Sequence, residues 1–308
     1  MYSLYLNENP LKFGGISVRK DRTLFNIVGV PLDQSVTFRS GTRLAPTRIR
    51  EVSANIEFYS FRSHVDFENI LVYDMGDLCL IPGDLRASLE RIESLARGVF
   101  DESRFTIFMG GEHLITYSIV KSLPQDTKVL IFDAHFDLRN EYLGSKLNHA
   151  CVTRRIMEYV GPGNIMIVGV RAACEEEVNF ARKKRISYIP SYIITRESLP
   201  EIIRRINKFL GDASTVYVSI DMDVIDPAYA PGVSNPEPEG ITPRHLLDIL
   251  FGILSSDIKG LDIVEVSPPY DFSDITSILA AKIIIESFSI MYTRMPRTNK
   301  TRSKRNNK

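Results

Sequence analysis

Eight short runs of continuous apolar, mostly β-branched residues divide this chain: Leu24–Val30, Ile70–Met75, Phe105–Met109, Lys128–Phe132, Ile165–Val170, Ser187–Pro190, Thr215–Ile220 and Gly260–Val266. Segments with helical spacing of apolar residues separate them, at Pro46–Tyr59, Asp84–Phe100, Leu114–Leu123, Ala150–Tyr159, Glu175–Lys184, Leu199–Leu210 and Pro243–Ser255, and a last helix fits Ile275–Tyr292. A strand that alternates apolar and polar residues has one wet face, whereas a strand apolar throughout must be covered on both. Strands of the second kind, separated by helices, predict a mostly parallel sheet between two helical layers, a three-layer α/β/α domain. Ligands of such sheets sit beyond the carboxyl ends of the strands.

Composition sets the outer bounds. With 308 residues, 44% of them hydrophobic and 25% charged, the chain can bury a large core without disulfides. Cys79, Cys151 and Cys174 are odd in number and form no Cys-x-x-Cys, which predicts a reduced, cytoplasmic protein. The first residues show no signal-peptide pattern, and no uncharged apolar run approaches membrane-spanning length, so no membrane partner is expected. Formal charge is zero but uneven: residues 294–308 hold seven cations and no acid, leaving 31 basic against 38 acidic residues elsewhere. The expected organisation is one domain over 1–295, with 1–22 as an extension packing on it or on a neighbouring subunit, and a basic, disordered tail at 296–308. That tail lacks aromatic residues on which bases could stack, so nucleic acid is not an expected partner.

Three of the apolar runs end in ligand-rich clusters. Asp133-Ala134-His135-Phe136-Asp137 follows Val129–Phe132, and side chains at i, i+2 and i+4 of an extended backbone point the same way. Asp221-Met222-Asp223 follows Val216–Ile220, and Gly110-Gly111-Glu112-His113 follows Phe105–Met109. Two imidazoles and four carboxylates exceed the needs of one tetrahedral zinc, and a calcium site would not use two histidines. The set suits a pair of manganese-type ions, which can lower the pKa of a shared water. The bland reading of each cluster alone is a turn or a cap, and three strand ends together argue against it. His64 and His245 lack such context and read as surface or helix positions.

These clusters, with Ser219-Ile220-Asp221-Met222-Asp223-Val224-Ile225-Asp226-Pro227, resemble in order the signatures of the ureohydrolase (arginase/agmatinase) family. The resemblance runs from about Leu24 to Tyr292 and implies an eight-stranded sheet and a trimer or hexamer. It further implies two Mn2+ per subunit: Asp133 and Asp221 bridge them, His113 and Asp137 complete one, and His135 and Asp223 the other. A metal-bridging hydroxide, oriented by Asp137, would attack a guanidinium carbon and release urea and an amine. His149 in Asn148-His149-Ala150-Cys151 matches the proton-relaying histidine, and Glu265 in Val264-Glu265-Val266-Ser267-Pro268-Pro269 would pair with the guanidinium. Asn148 and Glu141 are expected beside the substrate, and Thr242 as a supporting hydroxyl.

Loop 138–148, Thr37-Phe38-Arg39-Ser40-Gly41-Thr42 and Glu265–Asp271 resemble agmatinases of archaeal type, so the expected substrate is agmatine, cleaved to putrescine and urea. Gly232-Val233-Ser234-Asn235-Pro236-Glu237-Pro238-Glu239 departs from the family's usual Gly-Thr-Gly-Thr-Pro, which leaves aminopropylagmatine, arginine or a guanidino acid as alternatives. A dinuclear phosphoesterase is disfavoured by the lack of a P-loop and by Glu265, which would repel phosphate. A binding protein without catalysis is disfavoured because every expected ligand is present.

Overall fold

The apolar runs hydrogen-bond into one sheet. The structure, a computed structural model, describes residues 2–23, 25–102, 104–255 and 257–294; Leu24 and the basic tail at 296–308 lie outside them. Its strands are β1 (Leu6–Asn7), β2 (Phe25–Val30), β3 (Tyr59–Ser60), β4 (Val65–Asp66), β5 (Val72–Leu78), β6 (Phe105–Gly110), β7 (Lys128–Phe132), β8 (Ile165–Val170), β9 (Ser187–Pro190), β10 (Val216–Asp221) and β11 (Ile258–Val264). Its helices are α1 (Ala45–Ser53), α2 (Leu85–Phe100), α3 (Ile115–Val120), α4 (Val152–Val160), α5 (Glu175–Lys184), α6 (Ser191–Arg196), α7 (Leu199–Leu210), α8 (Pro243–Ile253) and α9 (Ile275–Arg294).

The main sheet has the order β1-β5-β2-β6-β11-β10-β7-β8-β9. Its eight long strands are parallel throughout, as the sequence and its resemblance predict, and the ninth, β1, is a two-residue antiparallel addition to the edge of β5. One face packs against α1, α6, α7, α8 and α9, the other against α2, α3, α4 and α5, giving the three layers. Helix α9 has the length and apolar content of a membrane span, yet 72% of its most apolar window is buried inside the protein, and it carries Lys282 and Glu286.

Two expectations change. The helix predicted to reach Tyr59 stops at Ser53, because Tyr59 is drawn into the small hairpin β3–β4 and Phe58 packs edge-on against Phe67 at 5.6 Å. Helix α6 follows β9 directly and is too short to show a periodic pattern.

The N-terminal extension is tied down by a buried ion cluster. Arg50 on α1 is fully buried and forks onto both Asp74 oxygens (2.8 and 2.9 Å) and Asp77 (2.7 Å) of β5. Asp74 also accepts the Phe13 N–H (2.9 Å), and Asp77 accepts Asn9 Nδ2 (3.0 Å).

Register places the chemistry. Met109, Ile263, Ile220 and Phe132 stand side by side across β6, β11, β10 and β7, the four adjacent central strands. The chain leaves each strand within a few residues of this line, so the segments carrying His113, Glu265, Asp221 and Asp133 emerge together at one sheet edge.

Candidate metal centre and active-site cavity

His113 is delivered by a turn that only glycine permits. A Cβ on Gly111 would stand 1.9 Å from the carbonyl oxygen of Leu32. Fully buried, His113 directs Nδ1 at three carboxylate oxygens: Asp133 Oδ2 at 3.1 Å, Asp137 Oδ2 at 3.3 Å and Asp221 Oδ2 at 3.3 Å. The other Asp133 oxygen faces His135 Nδ1 at 3.5 Å, and Asp223 Oδ2 approaches the same nitrogen to 2.9 Å. Asp133 therefore belongs to both ligand groups, His113–Asp133–Asp221 and His135–Asp133–Asp223. Backbone N–H groups fix the remaining oxygens: His135 N–H donates to Asp133 Oδ1 (2.6 Å), Ala134 N–H to Asp223 Oδ1 (3.0 Å) and Asp223 N–H to Asp221 Oδ1 (2.9 Å).

The donor set fits divalent cations. On its far side, His113 Nε2 meets Ser219 Oγ at 3.1 Å, and that hydroxyl gives its proton to Asp262 Oδ1 at 2.6 Å. Asp262 Oδ2 accepts from Thr116 and Tyr217, both at 2.8 Å, so this carboxylate is fully engaged. The network assigns the imidazole proton to Nε2 and leaves a lone pair on Nδ1. Among the described residues, neither His113 Nδ1 nor Asp133 Oδ2 has a hydrogen-bond partner. A lone pair facing three buried carboxylate oxygens is repulsive unless a cation lies among them. Ligands held about 2.1 Å from one ion stand ~3.0–3.4 Å apart, which the spacings around His113 match.

Without cations the cluster gathers protons instead. Burial opposes charge on His113 and His135, but the facing carboxylates outweigh it and raise both pKa values. Burial pushes Asp137 up to about 7 and raises Asp221 as well.

The expected alternation holds only in part. Strand β7 ends at Phe132, and Asp137 joins the cluster through a left-handed conformation (φ 51°) rather than through continued extension. Glu265 is left-handed too (φ 64°). Such strain at non-glycine residues costs on the order of 1–3 kcal/mol and collects at functional sites.

A cavity of ≈ 340 Å³ opens onto the cluster and is lined by Asp137, His149, Glu265, Tyr142 and Glu237, among others. Glu265 is buried in its lining, where Oε1 accepts the His113 N–H (2.7 Å) and Oε2 has no partner within hydrogen-bond geometry among the described residues. Burial pushes this carboxyl up to about 7. His149 Nδ1 lies 3.7 Å from Glu265 Oε1, and its Nε2 is 3.0 Å from the Thr37 hydroxyl. Ser35 Oγ accepts the His149 N–H (2.9 Å), and Glu112 in turn accepts N–H groups of Gln34 (2.6 Å) and Ser35 (2.8 Å). Burial lowers the His149 pKa and raises that of Glu112.

Three expected positions fall elsewhere. Asn148 is buried and caps the turn before α4: its oxygen accepts the Ala150 N–H (3.0 Å) and its amide donates to Ser35 O (3.2 Å). Glu141 is exposed and outside the cavity, because the tight Tyr142–Ser145 turn brings Tyr142 inward. The Thr242 hydroxyl caps α8 through His245 N–H at 3.2 Å. The residues to which the sequence alone assigned no role are Ser219 and Asp262, whose signal was a polar side chain inside an apolar strand, and Thr37, Ser35 and Glu112, which meet only in the folded chain.

The chain is similar to known proteins along most of its length. The model of the arginase family matches residues 24–289. An agmatinase of Bacillus anthracis is 37% identical over 265 residues, covering 84% of this chain and 89% of the relative. An N(1)-aminopropylagmatine ureohydrolase of Thermococcus kodakarensis is 32% identical, covering 94% and 98%. The crystal structure of the agmatine ureohydrolase of Thermoplasma volcanium superposes with a TM-score of 0.82 at 34% identity, covering 89% of this chain and 91% of that one.

Proposed function

The chain belongs to the arginase family and is a ureohydrolase, and from that premise we propose that it hydrolyses agmatine to putrescine and urea with two manganese ions. The observation that carries this reading is that the buried carboxylate Glu265 lines the same cavity as four members of the ligand cluster, His135, Asp137, Asp221 and Asp223. A carboxylate receives two parallel N–H bonds from a planar guanidinium and so fixes the plane of its carbon.

His113, Asp137, Asp133 and Asp221 would hold one ion, and His135, Asp223 and the same Asp133 and Asp221 the other. Bound there, the ions supply positive charge and a water of lowered pKa. Asp137 accepts a hydrogen bond from the attacking water and aims it at the guanidinium carbon. Glu265 keeps that carbon facing the water. His149, kept neutral by burial, takes a proton from the reacting centre and returns it to the departing amine nitrogen. The C–N bond to the amine breaks, and the carbon leaves as urea.

A hydrocarbon chain ending in an ammonium suits a cavity that keeps a half-exposed carboxylate, Glu237, besides those engaged in the ligand cluster. The similarity to both an agmatinase and an aminopropylagmatine ureohydrolase supports a small cationic guanidine as the substrate. A homo-oligomer in the cytoplasm completes the reading: Phe38, Tyr270, Phe272 and Ile275 are exposed apolar residues, and Arg39 stacks at 5.2 Å on each of the Phe38 and Tyr270 rings. Urea release from agmatine, aminopropylagmatine and arginine, with and without Mn2+, tests the assignment. Manganese-dependent preference for agmatine is expected, and preference for arginine would sink it.

A further inference from the structure

Glu237 stands apart among the carboxylates of the cavity. Asp137, Asp221 and Asp223 are in the ligand cluster, and Glu265 lies at the inner end. Glu177 is buried and already accepts the N–H groups of Leu138 (3.0 Å) and Cys174 (3.1 Å), with Arg139 3.7 Å away. Glu237 is half-exposed at the mouth and forms one ion-pair contact, to His135 Nε2, at 3.8 Å, beyond hydrogen-bond reach. Its neighbour Glu239 is exposed and does not line the cavity.

The backbone bearing Glu237 is held firmly. Arg171 donates to the carbonyls of Glu237 (2.8 Å), Pro238 (2.8 Å), Asp223 (2.6 Å), Val224 (3.2 Å) and Gly169 (3.2 Å). A guanidinium bonded to five carbonyls ties the loop to the strand exit that carries Asp223. Upstream in the same loop, Ser234 N–H donates to Glu265 O (3.2 Å), and Asn235 presents a buried side-chain oxygen without a partner. Glu265, Asn235 and Glu237 all line the cavity, the first buried and the last half-exposed, and all three offer acceptors.

We propose that Glu237, positioned by Arg171 and assisted by the Asn235 oxygen, receives the distal cation of the substrate and so selects guanidines that end in an ammonium. The inference rests on the agmatine reading above: a substrate whose guanidinium meets Glu265 would extend its tail toward Glu237.

Three probes of similar length separate the possibilities: agmatine with an ammonium tail, 4-guanidinobutyrate with a carboxylate, and butylguanidine with neither. In the manganese-loaded enzyme, Glu237→Gln should raise the agmatine KM about tenfold and lower the agmatine-to-butylguanidine ratio of kcat/KM by a similar factor, the effect of one half-exposed charge-assisted contact. Glu237→Lys should shift preference toward 4-guanidinobutyrate. Melting curves and metal analysis of both variants check that the fold and the bound manganese persist. An unchanged ratio overturns the proposal. So does a parallel loss on agmatine and butylguanidine accompanied by loss of manganese, which would make Glu237 a support for His135. A wild-type enzyme that hydrolyses none of the three probes overturns the agmatine reading itself, whereas wild-type agmatine hydrolysis with an unmoved ratio removes Glu237 alone.

Discussion

The Ser219 hydroxyl stands 3.1 Å from His113 Nε2 and hands its own proton to Asp262, so a fully buried carboxylate sets the tautomer of a ligand it never touches. Asp262→Asn keeps the shape but can turn an N–H toward Ser219, which frees the hydroxyl proton to point at His113 and disfavours the Nε2–H tautomer. Outer partners of this kind are worth about 10–100-fold in metal affinity. Titration of the stripped variant with Mn2+ should show a loss of that size, and retention of wild-type affinity would assign Asp262 to packing alone.

Metal binding should strengthen with pH. In the stripped protein, facing carboxylates raise His113 and His135, and burial raises Asp137 to about 7 and Asp221 as well. Each of these folded-state values lies above its unfolded counterpart. Their protonation therefore stabilises the stripped fold at low pH, and that contribution is lost as pH climbs, for Asp137 between about 4 and about 7. Asp133 shifts the opposite way, because its two histidines outweigh burial, and its window lies below that range. Bound cations displace the protons and remove the penalty. The gap in melting temperature between manganese-loaded and EDTA-stripped protein should be wider at pH 8 than at pH 6; a constant gap would contradict the assigned ligands.

The layered fold was readable in the sequence because continuous apolar strands leave little choice of environment. Leu199–Leu210 and Glu175–Lys184 keep their predicted limits, since a Pro or an acidic first turn marks each start. The cluster was readable because its members are close in sequence within each strand exit. Asp137 shows the limit of that logic: its alternate spacing suggested continued extension, while the chain in fact turns left-handed to bring it in. Asn148 and Glu141 lie off the cavity lining for a related reason. A short loop alternates its side chains by turn type, and neither a capping role nor a turn direction follows from composition. Thr37 and His149 are 112 residues apart, so their contact belongs to the tertiary structure alone.

That contact carries its own expectation. With Thr37 at 3.0 Å from Nε2 and Glu265 at 3.7 Å from Nδ1, the His149 ring is held at both nitrogens. Thr37→Val preserves volume and removes the hydroxyl. The kcat for agmatine should fall about tenfold, part of the 10²–10⁴ expected of a positioned acid–base group. Its KM should change less than kcat, because Glu265 is untouched. Thr37→Ser should restore the rate. A fall in KM-dependent binding alone, with kcat intact, would place Thr37 on the substrate instead of on His149.

Stability should depend on Arg50 far more than on any surface pair. Both Asp74 oxygens and one of Asp77 converge on its guanidinium, and neither Arg50 nor Asp74 is accessible to water. The exposed Arg204–Glu201 pair is shorter, at 2.6 Å, but lies in water and is screened. Arg50→Ala would leave the Asp74 carboxylate buried without its counter-charge, a loss of about 3–5 kcal/mol in unfolding free energy. It would also loosen the Phe13 and Asn9 anchors that share these carboxylates. Arg50 does not line the cavity, so turnover per folded molecule should persist while the denaturation midpoint falls. Arg204→Ala should leave that midpoint nearly unchanged, because its pair is solvated and screened. Equal effects of the two substitutions in denaturant titration would show that the buried cluster anchors nothing.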